Sequence, residues 1–262
     1  MNLDTVFVRY INLDRRIDRN EDTIKKFINI LGFNPDNIKR FSAIDGSNII
    51  DELKNKNYID DELIKILQSA NLNIKTGELG CLLSHYFLLK EILNDSSISN
   101  NSYVFMFEDD FFINTSYLES TNLTDILNKL NASELDNENL WDMIYFGGRF
   151  KQNFFPSDFN IKNFFSHSFD NFYLRIEGNG YDWDRTTHNY LIKKKNISKI
   201  LNCILNYYSN EVKPTIQIDS LYNSFSSKLN MYDYFPHLFY SPMNYSTDIQ
   251  HSKICINTKE LK

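Results

Sequence analysis

At residues 103–110 the sequence reads YVFMFEDD, in which five apolar or aromatic side chains are followed at once by three carboxylates. A continuous apolar run this short is typical of a strand buried on both faces, as at the centre of a parallel α/β sheet. Ligands of such sheets bind beyond the carboxyl ends of the strands. The sequence therefore predicts an α/β fold with a polar site at Glu108, Asp109 and Asp110.

Three adjacent carboxylates repel one another, and a divalent cation would neutralise that repulsion. Oxygen ligands suit Mg²⁺ or Mn²⁺, and a cation that they hold can bind a diphosphate. The simpler alternative is that Asp109 or Asp110 caps the next helix or begins a turn. This stretch alone favours the simpler alternative, so the rest of the chain has to decide.

The composition predicts one folded domain over residues 1–262, because 42% of the residues are hydrophobic and no linker or repeat divides the chain. The net charge of -6 argues against nucleic-acid binding, which usually needs a basic excess. The three scattered cysteines form no metal or disulfide pattern, which indicates a reducing compartment. Because neither a signal peptide nor a bilayer-spanning apolar run is visible, we expect a cytoplasmic protein.

The first predicted strand, Thr5 to Leu13, leads into a turn rich in arginine. Arg15 and Arg19 lie at this turn, just before and within an amphipathic helix that ends at Gly32. A strand, an arginine-rich turn and a helix form an arrangement that can bind an anion. A surface turn with Asp–Arg pairs is the alternative. Asp45 follows a second predicted strand, a position where nucleotide-binding units often place a ribose contact.

A second polar feature is the segment Gly77 to His85, which begins a long apolar helix. Glycines in the first turn would let a ligand or another backbone approach the helix. Glu78, Ser84 and His85 are its polar exceptions. A single buried histidine is usually a satisfied core residue, but three polar exceptions together favour a site.

Further acids occur downstream. Asp182 and Asp184 form a second Asp-X-Asp, the rival metal site, inside an irregular aromatic segment at residues 150–185. Asp219 lies at the start of a predicted helix, where capping is the alternative to chemistry. Near the C-terminus, His251 belongs to a polar cluster from which a ligand could return to the metal.

In their order, these motifs resemble glycosyltransferase family 25, which contains lipooligosaccharide and collagen galactosyltransferases. The matching pieces are residues 10–16 with Asp18 and Arg19, then 43–46, 77–85, 107–110, 142–147, 187–192 and 218–219. The resemblance extends roughly over residues 5–225. The chain departs from the family in the aromatic segment and at Asn189, where a small residue is expected.

The resemblance implies a GT-A-type fold with a mostly parallel central sheet flanked by helices. It also implies a UDP-sugar donor, a divalent metal (typically Mn²⁺, or Mg²⁺) and inversion at the anomeric carbon. Residues 1–148 would form the donor-binding half and residues 149–262 the acceptor side. Galactose or glucose would be moved to a hydroxyl of a glycan, or of hydroxylysine in a collagen-like protein.

Site residues follow from the resemblance and from the motifs above. We expect Glu108, Asp110 and His251 to bind the metal. We expect Asp219, or else Asp182, to be the general base that inversion requires. The residues expected to bind the UDP-sugar are Asn12, Leu13, Arg15, Arg19, Asp45, Gly77, Glu78, Ser84, His85, Asp109 and Gly147.

Two other classes of function remain open from the sequence. A metal-dependent phosphodiester hydrolase also clusters acids at strand ends, although it would need more ligands than five histidines readily offer. A non-catalytic sugar-nucleotide or glycan-binding module is the other alternative. Loss of the acidic triplet would favour such a module, and the triplet is intact.

Overall fold

The computed structural model describes residues 3–58, 60–69, 74–148, 168–169, 173–175, 187–210, 217–241 and 253–254. Within these ranges the protein is an α/β structure built on a sheet of eight strands. These strands are β1 (Phe7–Asn12), β2 (Ile38–Ser42), β4 (Tyr103–Glu108), β6 (Met143–Tyr145), β8 (Ser168–Phe169), β9 (Tyr173–Arg175), β10 (Asn189–Lys193) and β11 (Met231–Tyr234). Their order across the sheet is β2-β1-β4-β10-β6-β11-β9-β8.

Six of these eight strands run in one direction, and β9 and β10 run the opposite way. The expected mostly parallel sheet is therefore confirmed. The reversal of β10 matters for the site because β10 pairs antiparallel with β4, with Asn189 opposite Phe107. The first residues of β10 consequently lie beside the last residues of β4.

The apolar stretch that the sequence singled out is β4, the third strand from the β2 edge of the sheet. Tyr103 to Phe107 are buried, and the exposure of the strand begins to rise only at Glu108. A strand covered on both faces has no need of alternating polar side chains, which explains its continuous apolar sequence.

Helices cover both faces of the sheet, as expected. They are α1 (Ile17–Lys25), α2 (Ile49–Asn55), α3 (Asp61–Ser69), α4 (Thr76–Asn94), α5 (Thr115–Leu118), α6 (Leu123–Ala132), α7 (Glu134–Asn137), α8 (Ile197–Asn210) and α9 (Ile218–Asn223). Residues of α2, α3, α4, α8 and α9 pack into one hydrophobic core. Residues of α6, α7 and the turn after α1 pack into the other.

Two small sheets complete the described structure. One contains β5 (Phe112–Ile113), β12 (Phe239–Tyr240) and β7 (Gly147–Gly148), and the other pairs β3 (Ile74–Lys75) with β13 (Lys253–Ile254). After α1 the chain continues as a π-helix at Lys26–Ile30 and turns at Gly32, whose φ of 73° fits the predicted helix end. Among the described helices, none has the length and apolar character that crossing a bilayer requires.

Candidate active site

The polar edge of the sheet is formed where β1, β4 and β6 end and where β10 begins. The three acids at the end of β4 turn toward different partners there. Glu108 faces α4, Asp109 faces β1 and α1, and Asp110 lies near His188. The sequence predicted an acidic site at this edge but not these separate environments.

Glu108 is held by hydrogen bonds from both sides. Its Oε1 lies 3.1 Å from His85 Nε2 and accepts a hydrogen bond from the Thr187 hydroxyl. The other ring nitrogen of His85 lies 3.0 Å from the Tyr190 hydroxyl, so the fully buried imidazole has a partner on each side. Burial opposes ionisation, but the hydrogen bonds and the nearby imidazoles outweigh it and lower the pKa of Glu108 below its usual range. Glu108 is therefore an ionised, firmly oriented carboxylate.

Asp109 ties the end of β4 to the arginine-rich turn. Its carboxylate accepts hydrogen bonds from Asn12 Nδ2 at 2.6 Å and Arg19 NH1 at 3.1 Å. Burial, assisted by the charge of Asp110, raises the pKa of Asp109 despite these bonds. Asn12, Arg19 and Asp109, which were all expected at the donor site, thus form one connected unit of the polar edge.

Asp110 has an exposed fraction of 25% and faces the histidine that precedes β10. Its Oδ1 lies 3.4 Å from His188 Nε2. Asp110 Oδ1 and His188 Nδ1 are buried and have no hydrogen-bond partner among the residues that the structure describes. Glu108, Asp110 and His188 each offer a donor atom, and these atoms lie within 4.8 Å of one another. Two carboxylates and an imidazole at this spacing are a plausible donor set for a divalent cation.

A second potential group consists of Cys81, His85 and Glu108, with Cys81 Sγ 4.0 Å from Glu108 Oε1. Burial and the negative charge of Glu108 raise the pKa of the Cys81 thiol well above its ordinary value, which disfavours the thiolate that binds metals. His85 already bonds Glu108 and Tyr190. We therefore assign these residues to the support of Glu108.

Asp219 is linked to the acidic edge through Thr187. Its Oδ1 accepts a hydrogen bond from the Thr187 amide at 2.8 Å and lies 2.9 Å from the Thr187 hydroxyl, whose one proton is shared between Asp219 and Glu108. Asp219 lies in the first turn of α9, and the N-cap position of this helix is occupied by Gln217, two residues earlier. The N-cap alternative for Asp219 is therefore wrong. Burial and the charge of Glu108 raise the pKa of Asp219.

The start of α4 packs closely on the loop after β2. A Cβ on Gly46 would overlap the Thr76 carbonyl oxygen, and one on Gly80 would lie 2.6 Å from the Ile44 carbonyl oxygen. Ser84 accepts a hydrogen bond from the Ile44 amide at 2.8 Å and donates one to Gly80 at 2.6 Å. The backbone approach that the glycines were expected to permit is thus made by this loop.

Other residues expected at the donor site lie around the same edge. Arg15 and Asp45 form an ion pair at its partly exposed rim. Leu13 is partly buried against the core. Glu78, which follows Gly77 in α4, accepts a hydrogen bond from Gln217 at 2.8 Å, next to α9.

Gly147 and Asn189 pack against each other. A Cβ on Gly147 would lie 2.5 Å from Asn189 Nδ2, so the glycine leaves room for the carboxamide. Asn189 is fully buried, and within the described part of the chain neither its Oδ1 nor its Nδ2 has a hydrogen-bond partner. An unsatisfied buried amide reduces stability by about 1–3 kcal/mol.

Replacing Asn189 with leucine, which has a similar branched shape, should therefore raise the free energy of unfolding by about 1 kcal/mol or more. Asn196 provides the matched control, because it is buried but donates a hydrogen bond to the Trp141 carbonyl at 3.0 Å. Asn196→Leu should lower the free energy of unfolding. Urea denaturation of both variants tests the difference, and a loss of stability in Asn189→Leu would contradict the prediction.

Asp182 and His251 lie outside the described residues, as does the rival pair at Asp182 and Asp184. Their roles as competing base, third metal ligand and rival metal site stay predictions. The structure adds Thr187 and His188, which the sequence did not single out as site residues. Both residues lie just before β10, which pairs antiparallel with β4. A sequence analysis that knew this direction would have placed them beside the end of β4.

The mostly parallel α/β sheet with acids at a strand end is the architecture of GT-A-type, nucleotide-sugar-binding proteins. The chain matches the family model described as glycosyltransferase family 25 (LPS biosynthesis protein) over residues 4–222. It therefore belongs to glycosyltransferase family 25. No match was found among the curated proteins.

Proposed function

We propose that the protein is a metal-dependent, inverting glycosyltransferase that moves a hexose from a UDP-sugar to a hydroxyl group. The observation that carries the proposal is the strand-end pair Glu108 and Asp110. One of these carboxylates is held ionised by its neighbours, and the other has a buried oxygen without a hydrogen-bond partner among the described residues. A divalent cation would be bound by the ionised carboxylate of Glu108 and by the unbonded oxygen of Asp110.

The donor chemistry of this pair fits Mn²⁺ or Mg²⁺, which prefer carboxylate oxygens. Glu108 and Asp110 would hold the cation, and it would act as a Lewis acid that stabilises the negative charge of the UDP leaving group. Asp109 would not compete for the cation, because Asn12 and Arg19 bind its oxygens.

The nucleotide would bind along the polar edge near β1 and β2. Arg15 would contribute charge-assisted hydrogen bonds to the diphosphate, and Asp45 would contact the ribose. Both side chains lie at the partly exposed rim, where a bound nucleotide could replace their ion pair, which supports this role. Arg19 would act mainly by orienting Asp109, because its guanidinium is buried against that carboxylate.

Asp219 would be the general base that removes the proton of the acceptor hydroxyl. Thr187 fixes its Oδ1, and burial together with the charge of Glu108 raises its pKa, which makes the carboxylate a better proton acceptor. Asp182 stays the competitor. The family description as an LPS biosynthesis protein favours a glycan as the acceptor over hydroxylysine. The sugar would be galactose or glucose, as the resemblance in the sequence implies.

The proposal is tested by incubating the protein with UDP-galactose, UDP-glucose and UDP-N-acetylglucosamine in the presence of Mn²⁺ and measuring the UDP released. We expect release from at least one hexose donor, and we expect a chelator to abolish it. A matched incubation with bis-p-nitrophenyl phosphate tests the hydrolase alternative. A folded protein that binds a UDP-sugar but never releases UDP, with or without glycan acceptors, would instead be a binding module.

A further inference from the structure

We propose that His188 is a third protein ligand of the divalent cation, together with Asp110 and Glu108. This inference rests on the metal dependence in the proposed function. It makes the site a mixed nitrogen and oxygen site at one sheet edge. The sequence had instead placed the third ligand at His251, near the C-terminus.

The separation of Asp110 and His188 is the first argument. A direct ion pair between a carboxylate and an imidazolium closes to about 2.7–2.9 Å. His188 Nε2 and Asp110 Oδ1 stay 3.4 Å apart, and their contact is not a hydrogen bond. Two ligands that share one ion at about 2.1 Å lie roughly 3.0 Å apart at a right angle and roughly 3.4 Å apart at a tetrahedral angle. The observed separation therefore suits two ligands of a common cation.

The unsatisfied atoms are the second argument. Buried polar atoms nearly always have a hydrogen-bond partner. Here Asp110 Oδ1 has none within the described ranges, although His188 Nε2 faces it at 3.4 Å. The other ring nitrogen of His188, Nδ1, is also without one there, so no hydrogen bond among the described residues commits the imidazole to another role. The two side chains as a whole keep exposed fractions of 25% for Asp110 and 12% for His188, so the pair lies close to the protein surface although these two atoms are buried. A cation would have a short path to it.

The third argument is the rigidity of the backbone that carries the imidazole. The Glu108 amide donates a hydrogen bond to the His188 carbonyl oxygen at 2.9 Å. Thr187, the preceding residue, bonds both Glu108 and Asp219. These contacts hold His188, the residue just before β10, beside both carboxylates.

An imidazole ligand changes which metals the site prefers. Mg²⁺ favours oxygen ligands and dehydrates reluctantly, whereas imidazole suits transition metals. We therefore expect Mn²⁺ and Co²⁺ to bind more tightly than Mg²⁺ in the absence of nucleotide. Competition titrations against Mn²⁺, followed by its electron paramagnetic resonance signal, measure this preference.

The decisive test detects the nitrogen directly. In the wild-type protein with Mn²⁺ and no nucleotide, electron spin echo modulation should show a directly bound ¹⁴N. His188→Gln keeps a polar side chain of similar length, and it should lose this modulation and bind Mn²⁺ about 10–100-fold more weakly. His251→Ala tests the ligand that the sequence predicted instead, and on this inference it should keep both properties. Thermal unfolding confirms that each variant is folded.

Retention of the modulation and of the Mn²⁺ affinity in folded His188→Gln would overturn the inference, as would their loss only in His251→Ala. If His188→Gln did not fold, His188→Asn would be measured in the same way, with the same two outcomes. Failure of the wild-type protein to release UDP would count against glycosyl transfer but would leave a His188-dependent Mn²⁺ signal intact. Failure of the wild-type protein to bind Mn²⁺ would overturn both proposals.

Discussion

Asp110→Asn should reduce glycosyl transfer by at least about 10³-fold, because a metal Lewis acid contributes several kcal/mol and each 1.4 kcal/mol is a factor of ten. The amide keeps the size of the side chain but removes the charge that would hold the cation. Calorimetry should also show that Mn²⁺ no longer strengthens UDP binding. Stability should change little, because Asp110 Oδ1 has no hydrogen-bond partner among the described residues and Oδ2 has only a long contact, 3.7 Å, with Arg19 NH1.

The control for this variant is Asp22→Asn, which removes a mostly exposed carboxylate of α1 that forms an ion pair with Lys26. It should leave both transfer and metal-assisted UDP binding unchanged. If folded Asp110→Asn bound UDP and Mn²⁺ as the wild-type protein does, the metal site would have to lie elsewhere. Asp182 and Asp184 would then be the first residues to replace.

The second large effect is expected at Asp219. A general base contributes on the order of 10²–10⁴ to the rate, so Asp219→Asn should slow transfer to the acceptor by roughly that factor. UDP affinity should stay near the wild-type value, because the variant leaves the nucleotide side of the site intact. An asparagine oxygen can still accept the hydrogen bond from the Thr187 amide and the contact from its hydroxyl, so the free energy of unfolding should change little.

Ser220→Ala is the matched control on the same helix, because the Ser220 side chain is partly exposed and weakly bonded to Gln217 at 3.4 Å. It should transfer sugar normally. Loss of both transfer and UDP binding in Asp219→Asn would assign Asp219 to the donor or metal side. Loss of stability alone would make it a structural residue, and full transfer activity would favour Asp182 as the base.

Local sequence patterns determined the elements of this fold. The apolar run from Tyr103 to Phe107 predicted a doubly covered strand, and the structure confirms it as β4. Helical periodicity located α4, α6 and α8 within a few residues, because a stripe of apolar side chains must be buried whatever the surrounding topology. The acids after β4 likewise predicted a polar edge, since the end of a buried strand opens toward solvent.

What only the tertiary structure decided was which distant residues meet at that edge. The direction of β10 depends on its partners β4 and β6, and nothing in residues 187–192 records it. Because β10 runs antiparallel to β4, it carries Thr187 and His188 next to Glu108 and Asp110, about 80 residues away along the chain. The different environments of Glu108, Asp109 and Asp110 have the same origin. Their charges are similar in the sequence, and only the packing of α4, β1 and β10 around them distinguishes Glu108, bonded to His85 and Thr187, from Asp109, bonded to Asn12 and Arg19, and from Asp110, the proposed metal ligand.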